Sequence, residues 1–306
     1  MRATFFNTIE RYYKEDKNLY VFTGDLGYKL FDRLRSYNAG RFYNTGIAEA
    51  NMVGLASGLA LCGNKVYCYS IIPFLVMRAF EQIRIDVDYH DLDVVLVGAG
   101  GGFSYGLEGI THFGLEDLCL MSSLQNMTVV VPADKAESVR IAELSYDHKG
   151  PMYIRLGKTG EPDVHTKKPD FRIGKGMVLR EGKRVAIFAF GNMVRAALDA
   201  ILELKKIGIS PTIVNMHTLK PFDKDLVHNI ASRHDVIVSV EEHILHGGLG
   251  SQIALVLAGS EFSGQFKCIA IPEKLSGAIG SAEYLRTIYG LTPKNITKTV
   301  RDALIS

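Results

Sequence analysis

The sequence predicts an α/β protein of two doubly wound domains with mainly parallel sheets, and three observations carry that prediction. The chain has 306 residues, twice an average domain of about 150. Short apolar runs alternate with helix-length amphipathic stretches from end to end, the pattern of right-handed strand–helix–strand crossovers. A single polar stretch, KTGEPDVHTKKPDFRIGK at 158–175, interrupts the alternation with no apolar period and reads as a linker. The expected domains are therefore 1–165 and 176–306.

In the first half, strands are expected at Leu19–Thr23, Lys65–Ser70, Val94–Ala99 and Met127–Val131, each a short run of Val, Leu, Tyr and similar residues. Helices are expected at Ile47–Cys62, Phe74–Asp88 and Lys135–Tyr146. In the second half the strands are Val185–Phe190, Thr212–Asn215, Val236–Val240 and Phe266–Ala270, with helices at Val194–Ile207, Lys224–Arg233 and Leu249–Ala258.

Composition narrows the function classes. Hydrophobic residues make up 47% and charged residues 22%, ordinary for a chain with a substantial core. Lys+Arg 35 against Asp+Glu 33 leaves a formal charge of +2, no electrostatic reason to expect nucleic acid or an anionic membrane. The longest apolar runs are far too short to span a bilayer. The first eighteen residues become charged too early for a signal peptide. Cys62, Cys68, Cys119 and Cys268 fit neither a disulfide framework nor a CxxC zinc pair, and a reduced cytoplasmic protein is expected.

Four places could carry chemistry. In GIAEANMVGLASGLALC (46–62) the only charged residue is Glu49. A first-turn carboxylate is favoured by the helix dipole, so Glu49 could simply be a solvated helix-end acid. Alternatively, the small residues around it permit close packing against another surface, where a carboxyl keeps a proton and can share it with a ligand. The second place is the long loop after DVVLVGAG, with seven Gly between Gly98 and Gly114 together with Glu108, Thr111 and His112. It sits at a strand's carboxyl end, where ligands collect in parallel sheets. A dinucleotide fingerprint fails there because Phe103 stands where Gly is required, and no GxxxxGK[ST] occurs. Third, Arg155 and Lys158 in MYIRLGKTG follow an expected strand and could bind an anion or be surface charge. Fourth, VEEHILHGGLGS puts Glu241, Glu242, His243 and His246 at another strand end, as a polar contact cluster or, with no third ligand at a recognisable spacing, an incomplete metal site.

Taken together, the motifs resemble a known family. NTGIAEANMVGLASGLALCG, RAFEQIRIDV, GITHFGLEDL and QNMTVVVPAD resemble the pyrimidine-binding domain of transketolases and deoxyxylulose-phosphate synthases. VAIFAFGNMVRAALDAILELKKIGI, TLKPFD and VEEHILHGGLGS resemble the carboxy-terminal domain that follows it. The resemblance covers nearly the whole chain in the same order. The family's diphosphate- and magnesium-binding domain, with its GDG motif, has no counterpart here, since GDLG at 24–27 is a different element. The chain thus looks like one half of a split transketolase, active only with an amino-terminal diphosphate-binding subunit, in an expected α2β2 assembly.

The resemblance implies thiamine diphosphate as cofactor, with magnesium or calcium held by the partner and no metal ligand in this chain. The cofactor's aminopyrimidine becomes a base only when a carboxyl group shares a proton with its ring nitrogen, and Glu49 matches that glutamate. Phe74 matches the aromatic that stacks on the pyrimidine, Arg78 lies in the same segment, and Asp25 matches an acidic residue near the cofactor. His112 matches the His that faces the substrate's reacting carbonyl and hydroxyls. Glu108 stands where transketolases commonly carry Asp. Arg155 and Lys158 match a basic pair that binds substrate phosphate in the synthase branch; Lys158 replaces an Arg there, a point charge in place of a bidentate fork. The implied activity is transfer of a two-carbon ketol unit from a ketose phosphate to an aldose. Alternatives are a subunit of a deoxyxylulose-phosphate synthase or of a 2-oxoacid dehydrogenase or decarboxylase, and a non-catalytic structural or regulatory subunit.

Overall fold

Strands covered by helices on both faces read as continuous apolar runs, and Lys65–Ile71 (β3) and Val94–Ala99 (β4) are buried at every position. A computed structural model, describing residues 1–158 and 160–305, places them at the centre of a seven-stranded sheet. Leu19–Thr23 (β1), Phe42–Asn44 (β2), Thr128–Val130 (β5) and Met152–Leu156 (β6) run parallel to them, in the order β5-β6-β4-β3-β1-β2. The second sheet contains Met177–Arg180 (β7), Arg184–Ala189 (β8), Thr212–Asn215 (β9), His234–Ile244 (β11) and Gln265–Ile271 (β12), in the order β12-β11-β8-β9-β7. All of its pairings are parallel except that of β7 with β9. A short strand from the second half, Thr218–Lys220 (β10), leaves its own sheet and pairs antiparallel with β5. The α/β fold with mainly parallel sheets is thus the one the sequence predicts.

Most expected helices form within two residues of their expected ends: Glu49–Leu61, Lys135–Asp147, Asn192–Lys206, Lys224–Ala231 and Leu249–Ala258. The expected helix Phe74–Asp88 is instead broken into Ile72–Val76, Phe80–Gln82 and a wide π turn at Ile83–Asp88. Pro73 starts the first piece, and the wide turn aims the Asp88 carboxylate at the backbone N–H groups of Gln125 and Asn126, 3.0 and 3.1 Å away. The N-terminal Arg2–Glu15 forms a helix that the alternation did not reveal. Its stripe of Phe5, Ile9 and Tyr13, four apart, is buried, while charged residues occupy the other face.

The irregular segment 157–176 is tied down rather than free. Asp134 caps the Lys135–Asp147 helix through Glu137 N and also accepts from the N–H groups of Val164 and His165. Glu137 Oε1 meets His165 Nε2 at 2.5 Å and accepts from Asn215 Nδ2 at 2.6 Å, joining the first sheet's helix to the segment and to β9. Beside it, Phe171 stacks on the fully buried His217 at 3.8 Å between ring centres.

This joint has a pH signature. Burial pushes His217 down to about 3, so the folded protein keeps it neutral. The unfolded chain binds that proton near pH 6.5. The contribution is therefore full above pH 6.5 and lost as pH falls towards 3, at about 1.4 kcal/mol per pH unit. In urea unfolding, the stability difference between wild type and His217→Gln is expected to shrink by about 2 kcal/mol between pH 7 and pH 5. A difference independent of pH would mean that His217 titrates normally.

Candidate active site

The carboxyl ends of β1 and β3 converge on Glu49. It opens the Glu49–Leu61 helix and is fully buried, so it is not a solvated helix-end acid. Ser70, at the end of β3, donates its hydroxyl to Glu49 Oε1 at 2.9 Å, and Arg78 Nη1 reaches Oε2 at 2.5 Å. Gly24, after β1, lies against the carboxyl, and a Cβ there would sit 3.1 Å from Oε1. The neighbouring Asp25 takes a left-handed backbone, φ 56°, and is locked to Asn44 by two hydrogen bonds of 2.9 Å.

A continuous line of side chains leads outward from this carboxyl. The guanidinium of Arg78, standing in the break of the expected helix, lies 4.8 Å over the half-buried Phe74 ring. Phe74 in turn meets the His112 imidazole edge-on at 5.0 Å. Tyr105 lies 6.0 Å beyond His112, and the Lys158 ammonium sits over the Tyr105 ring at 4.4 Å. Lys158 also reaches Glu108 Oε1 at 3.4 Å. The structure therefore brings Glu49, Arg78, Phe74, His112, Glu108 and Lys158 into one connected line, while Asp25, exposed and bonded to Asn44, stands apart from it. Ser70, Tyr105 and Arg2, which donates to the hydroxyls of Tyr69 and Tyr105, belong to the same line and were missed. Ser70 had a signal: a hydroxyl at the carboxyl end of an otherwise apolar strand.

The loop after β4 contains two short 3₁₀ turns, Gly106–Glu108 and Ile110–His112. Its ends are pinched together by reciprocal hydrogen bonds of 2.9 and 3.1 Å between Gly102 and Gly114. Glu108 and His112 are thereby presented on a closed loop.

Arg155 requires a correction. It lies inside β6 rather than after it, and its side chain is 4% exposed. Its Nε faces Asp117 Oδ2 at 3.0 Å, and its Nη2 donates to the carbonyls of Gly114 and Glu242. A guanidinium so enclosed offers no face to a phosphate. The second-domain cluster likewise does not converge. Glu241 accepts from the N–H groups of Leu249 and Gly250 at a helix start, Glu242 pairs with Arg286, His243 bonds Ile244 O, and His246 meets Glu273 at the surface. Among the described residues the group with metal-ligand spacing is Asp134, Glu137 and His165, and its carboxylates already accept from the N–H donors of the interdomain joint.

Removing Arg155 strands a buried carboxylate, which costs about 3–5 kcal/mol. Arg155→Met is therefore expected to lower thermal stability sharply. A variant with wild-type stability and only a weakened affinity for anions would restore the phosphate reading.

Known proteins share both halves of this architecture. Residues 1–161 match the family model of the transketolase pyrimidine-binding domain, and residues 174–296 match that of the transketolase C-terminal domain. The chain is 33% identical over 303 residues to a 6-deoxy-6-sulfo-D-fructose transketolase subunit of a Clostridium species, covering 99% of this chain and 94% of that one. It is 32% identical over 304 residues to an apulose-4-phosphate transketolase subunit of Phocaeicola vulgatus, covering 98% and 96%. A solved split-gene transketolase, described as an inactive beta4 tetramer, superposes with a TM-score of 0.89 at 34% identity, covering 99% of this chain and 97% of that one. No helix among the described residues is long and apolar enough to cross a membrane. The chain belongs to the transketolase family, and it is similar over its whole length to the separately encoded subunits of split transketolases.

Proposed function

We propose that this chain supplies the pyrimidine side of a thiamine-diphosphate site, completed by an amino-terminal diphosphate-binding subunit in an α2β2 assembly. The reaction is transfer of a two-carbon ketol unit from a ketose bearing a distal anion, such as a phosphate, to an aldose. The observation that carries this reading is the unbroken line from the buried Glu49 carboxyl through Phe74 to His112 and Lys158. It has the two ends such a reaction needs, an enclosed carboxyl and an open polar mouth. The buried carboxyl, the half-buried Phe74 ring and the Gly24 backbone that leaves room beside Glu49 fit an aminopyrimidine. Magnesium or calcium would be held with the diphosphate by the partner. Four free cysteines agree with a reducing, cytoplasmic setting.

When bound, thiamine diphosphate supplies the nucleophilic carbon that carries the two-carbon unit. With Arg78 released from Oε2, Glu49 would hold a proton at the pyrimidine nitrogen, Ser70 fixing the carboxyl's orientation. Phe74 packs against the ring face and excludes water. His112 and Glu108 orient substrate hydroxyls at the reacting end. Lys158, half-buried beside Tyr105, is placed to meet the distal anion, the role that Arg155 cannot take.

The reading is tested by mixing the chain with its partner, magnesium, thiamine diphosphate and a panel of ketose and aldose phosphates. The pair is expected to bind cofactor and turn over, and the isolated chain to do neither at micromolar cofactor in titration calorimetry. Glu49→Gln should lower cofactor deuterium exchange in the pair by about a hundredfold or more while assembly persists. Turnover by the chain alone, or normal exchange in that variant, would remove the basis of the assignment.

Lys158 yields a separate expectation. A charge-assisted contact contributes about 1.5–3 kcal/mol. Lys158→Met should therefore raise KM for a phosphorylated ketose about tenfold or more and leave the unphosphorylated analogue unaffected. Equal effects on both would assign Lys158 to positioning Glu108.

A further inference from the structure

The loop carrying Glu108 and His112 follows a strand of the first sheet, yet its side chains pack into the second domain. Phe103, Phe113 and Leu115 are buried in the hydrophobic cluster that holds Val238, Val240 and Leu285. Phe103 stacks on Tyr289 at 5.2 Å with the rings 17° from parallel. At the pinched neck, Glu242 of β11 accepts the Phe103 N–H at 3.2 Å. The same carboxylate takes a two-pronged grip on Arg286, with Nε at 2.8 Å and Nη2 at 2.9 Å. The fit is close enough to dictate sequence. Gly102 has φ +63°, and a Cβ there would lie 2.3 Å from the Glu242 carboxyl carbon. Further out, Gly106 O accepts from Gly280 N at 3.2 Å, and a Cβ on Gly106 would lie 2.3 Å from Gly280 O.

By contrast the tip of the loop is open: Leu107 is 72% and Ile110 60% exposed. The position of His112 is therefore set at the anchors. We infer that Arg286, Glu242 and Tyr289 are positioning residues for ketol transfer, through which the second domain fixes the substrate-facing loop of the first. Displacing a substrate-orienting group by about 1 Å can cost a hundredfold in rate. Glu49 hangs from β1, β3 and its own helix, so the inference separates the two ends of the site: loosening the clamp should spare cofactor activation and impair transfer. It rests on the reading of His112 as substrate-facing.

The test uses the reconstituted two-chain enzyme with Arg286→Met, Arg286→Lys, His112→Ala and the double variant Arg286→Met/His112→Ala. Arg286→Met is expected to lower kcat for transfer about tenfold or more while cofactor deuterium exchange stays within about twofold of wild type. Arg286→Lys, which keeps the charge and loses the fork, should fall between. In the His112→Ala background Arg286→Met should cost little further, because both act through one group. Additive losses, exchange falling in step with transfer, or unchanged activity would each overturn the inference. Should Arg286→Met fail to fold, Tyr289→Leu against Tyr289→Phe asks the same question, since Phe keeps the stack. Backbone hydrogen exchange of residues 104–113 is independent of substrate. It should accelerate in the clamp variants, and unchanged protection would overturn the clamp even if no ketose proved to be a donor. If instead the wild-type pair transfers nothing while exchange in the loop responds as expected, the proposed reaction fails and the clamp stands.

Discussion

A buried guanidinium stands where the first sheet, the loop and the second sheet meet. Arg155 projects from β6 with almost no exposure, and an unpaired charge at such depth would cost several kcal/mol. Its partners are drawn from three places: Asp117 after the loop, the Gly114 carbonyl at the loop's neck, and the Glu242 carbonyl in the second sheet. Tyr153 donates to the same Asp117 oxygen at 2.6 Å, so the carboxylate is itself fixed. The surroundings conform to this network. Gly101 has no room for a side chain, because a Cβ would lie 2.8 Å from Arg155 Nε. Satisfying one charge therefore ties together the end of β6, the neck of the loop and β11.

The same demand explains a division of labour in the site. Glu49 is placed by the most regular part of the molecule, a helix start beside two buried strands, with Ser70 as its fixed donor. In the proposed function that carboxyl shares a proton with a ring nitrogen and tolerates little displacement, and regular elements hold position best. In the proposed function, substrate recognition falls instead to a loop whose tip is exposed and whose feet are anchored in the second domain. The relatives named for a sulfo-sugar and for a sugar phosphate are each about one-third identical to this chain over nearly its whole length.

Much of the fold was legible in the sequence because eight of the strands are short, mainly apolar runs set between turn signals. What was not legible has physical reasons. Residues 2–15 form an amphipathic helix on the protein's flank, where charged residues dilute the apolar stripe. β10 is three residues long and belongs to the other domain's sheet, a pairing that no local pattern encodes. The candidate residues Glu49, Phe74 and His112 were singled out through motifs, and side-chain contacts through Arg78 connect them. Arg155 was misread because burial cannot be inferred from a lone basic residue: the strand MYIRL looks half-polar, and only its tertiary partners reveal an enclosed ion pair. Arg286 and Glu242 lie 44 residues apart, a separation over which sequence patterns are silent.

These contacts also give the second domain a purpose that cofactor chemistry alone does not. If the pyrimidine side of the site needed only Glu49, Phe74 and their supporting strands, the first sheet would suffice, for all of these lie within it or on its helices. The loop would then have to bury Phe103, Phe113 and Leu115 against something else, or expose them. Three large apolar side chains on an isolated Gly-rich loop would collapse onto the nearest surface, and the glycines would permit many such collapsed forms. The second domain removes that freedom by offering an apolar bed for these side chains, a carboxylate for the N–H of Phe103 and an arginine for the carboxylate. The unusual glycine content of the loop then follows from close approach rather than from flexibility. Gly101, Gly102 and Gly106 each press against a group that must be there, Arg155, Glu242 and the Gly280 carbonyl respectively, so the most glycine-rich part of the chain is also among its most constrained.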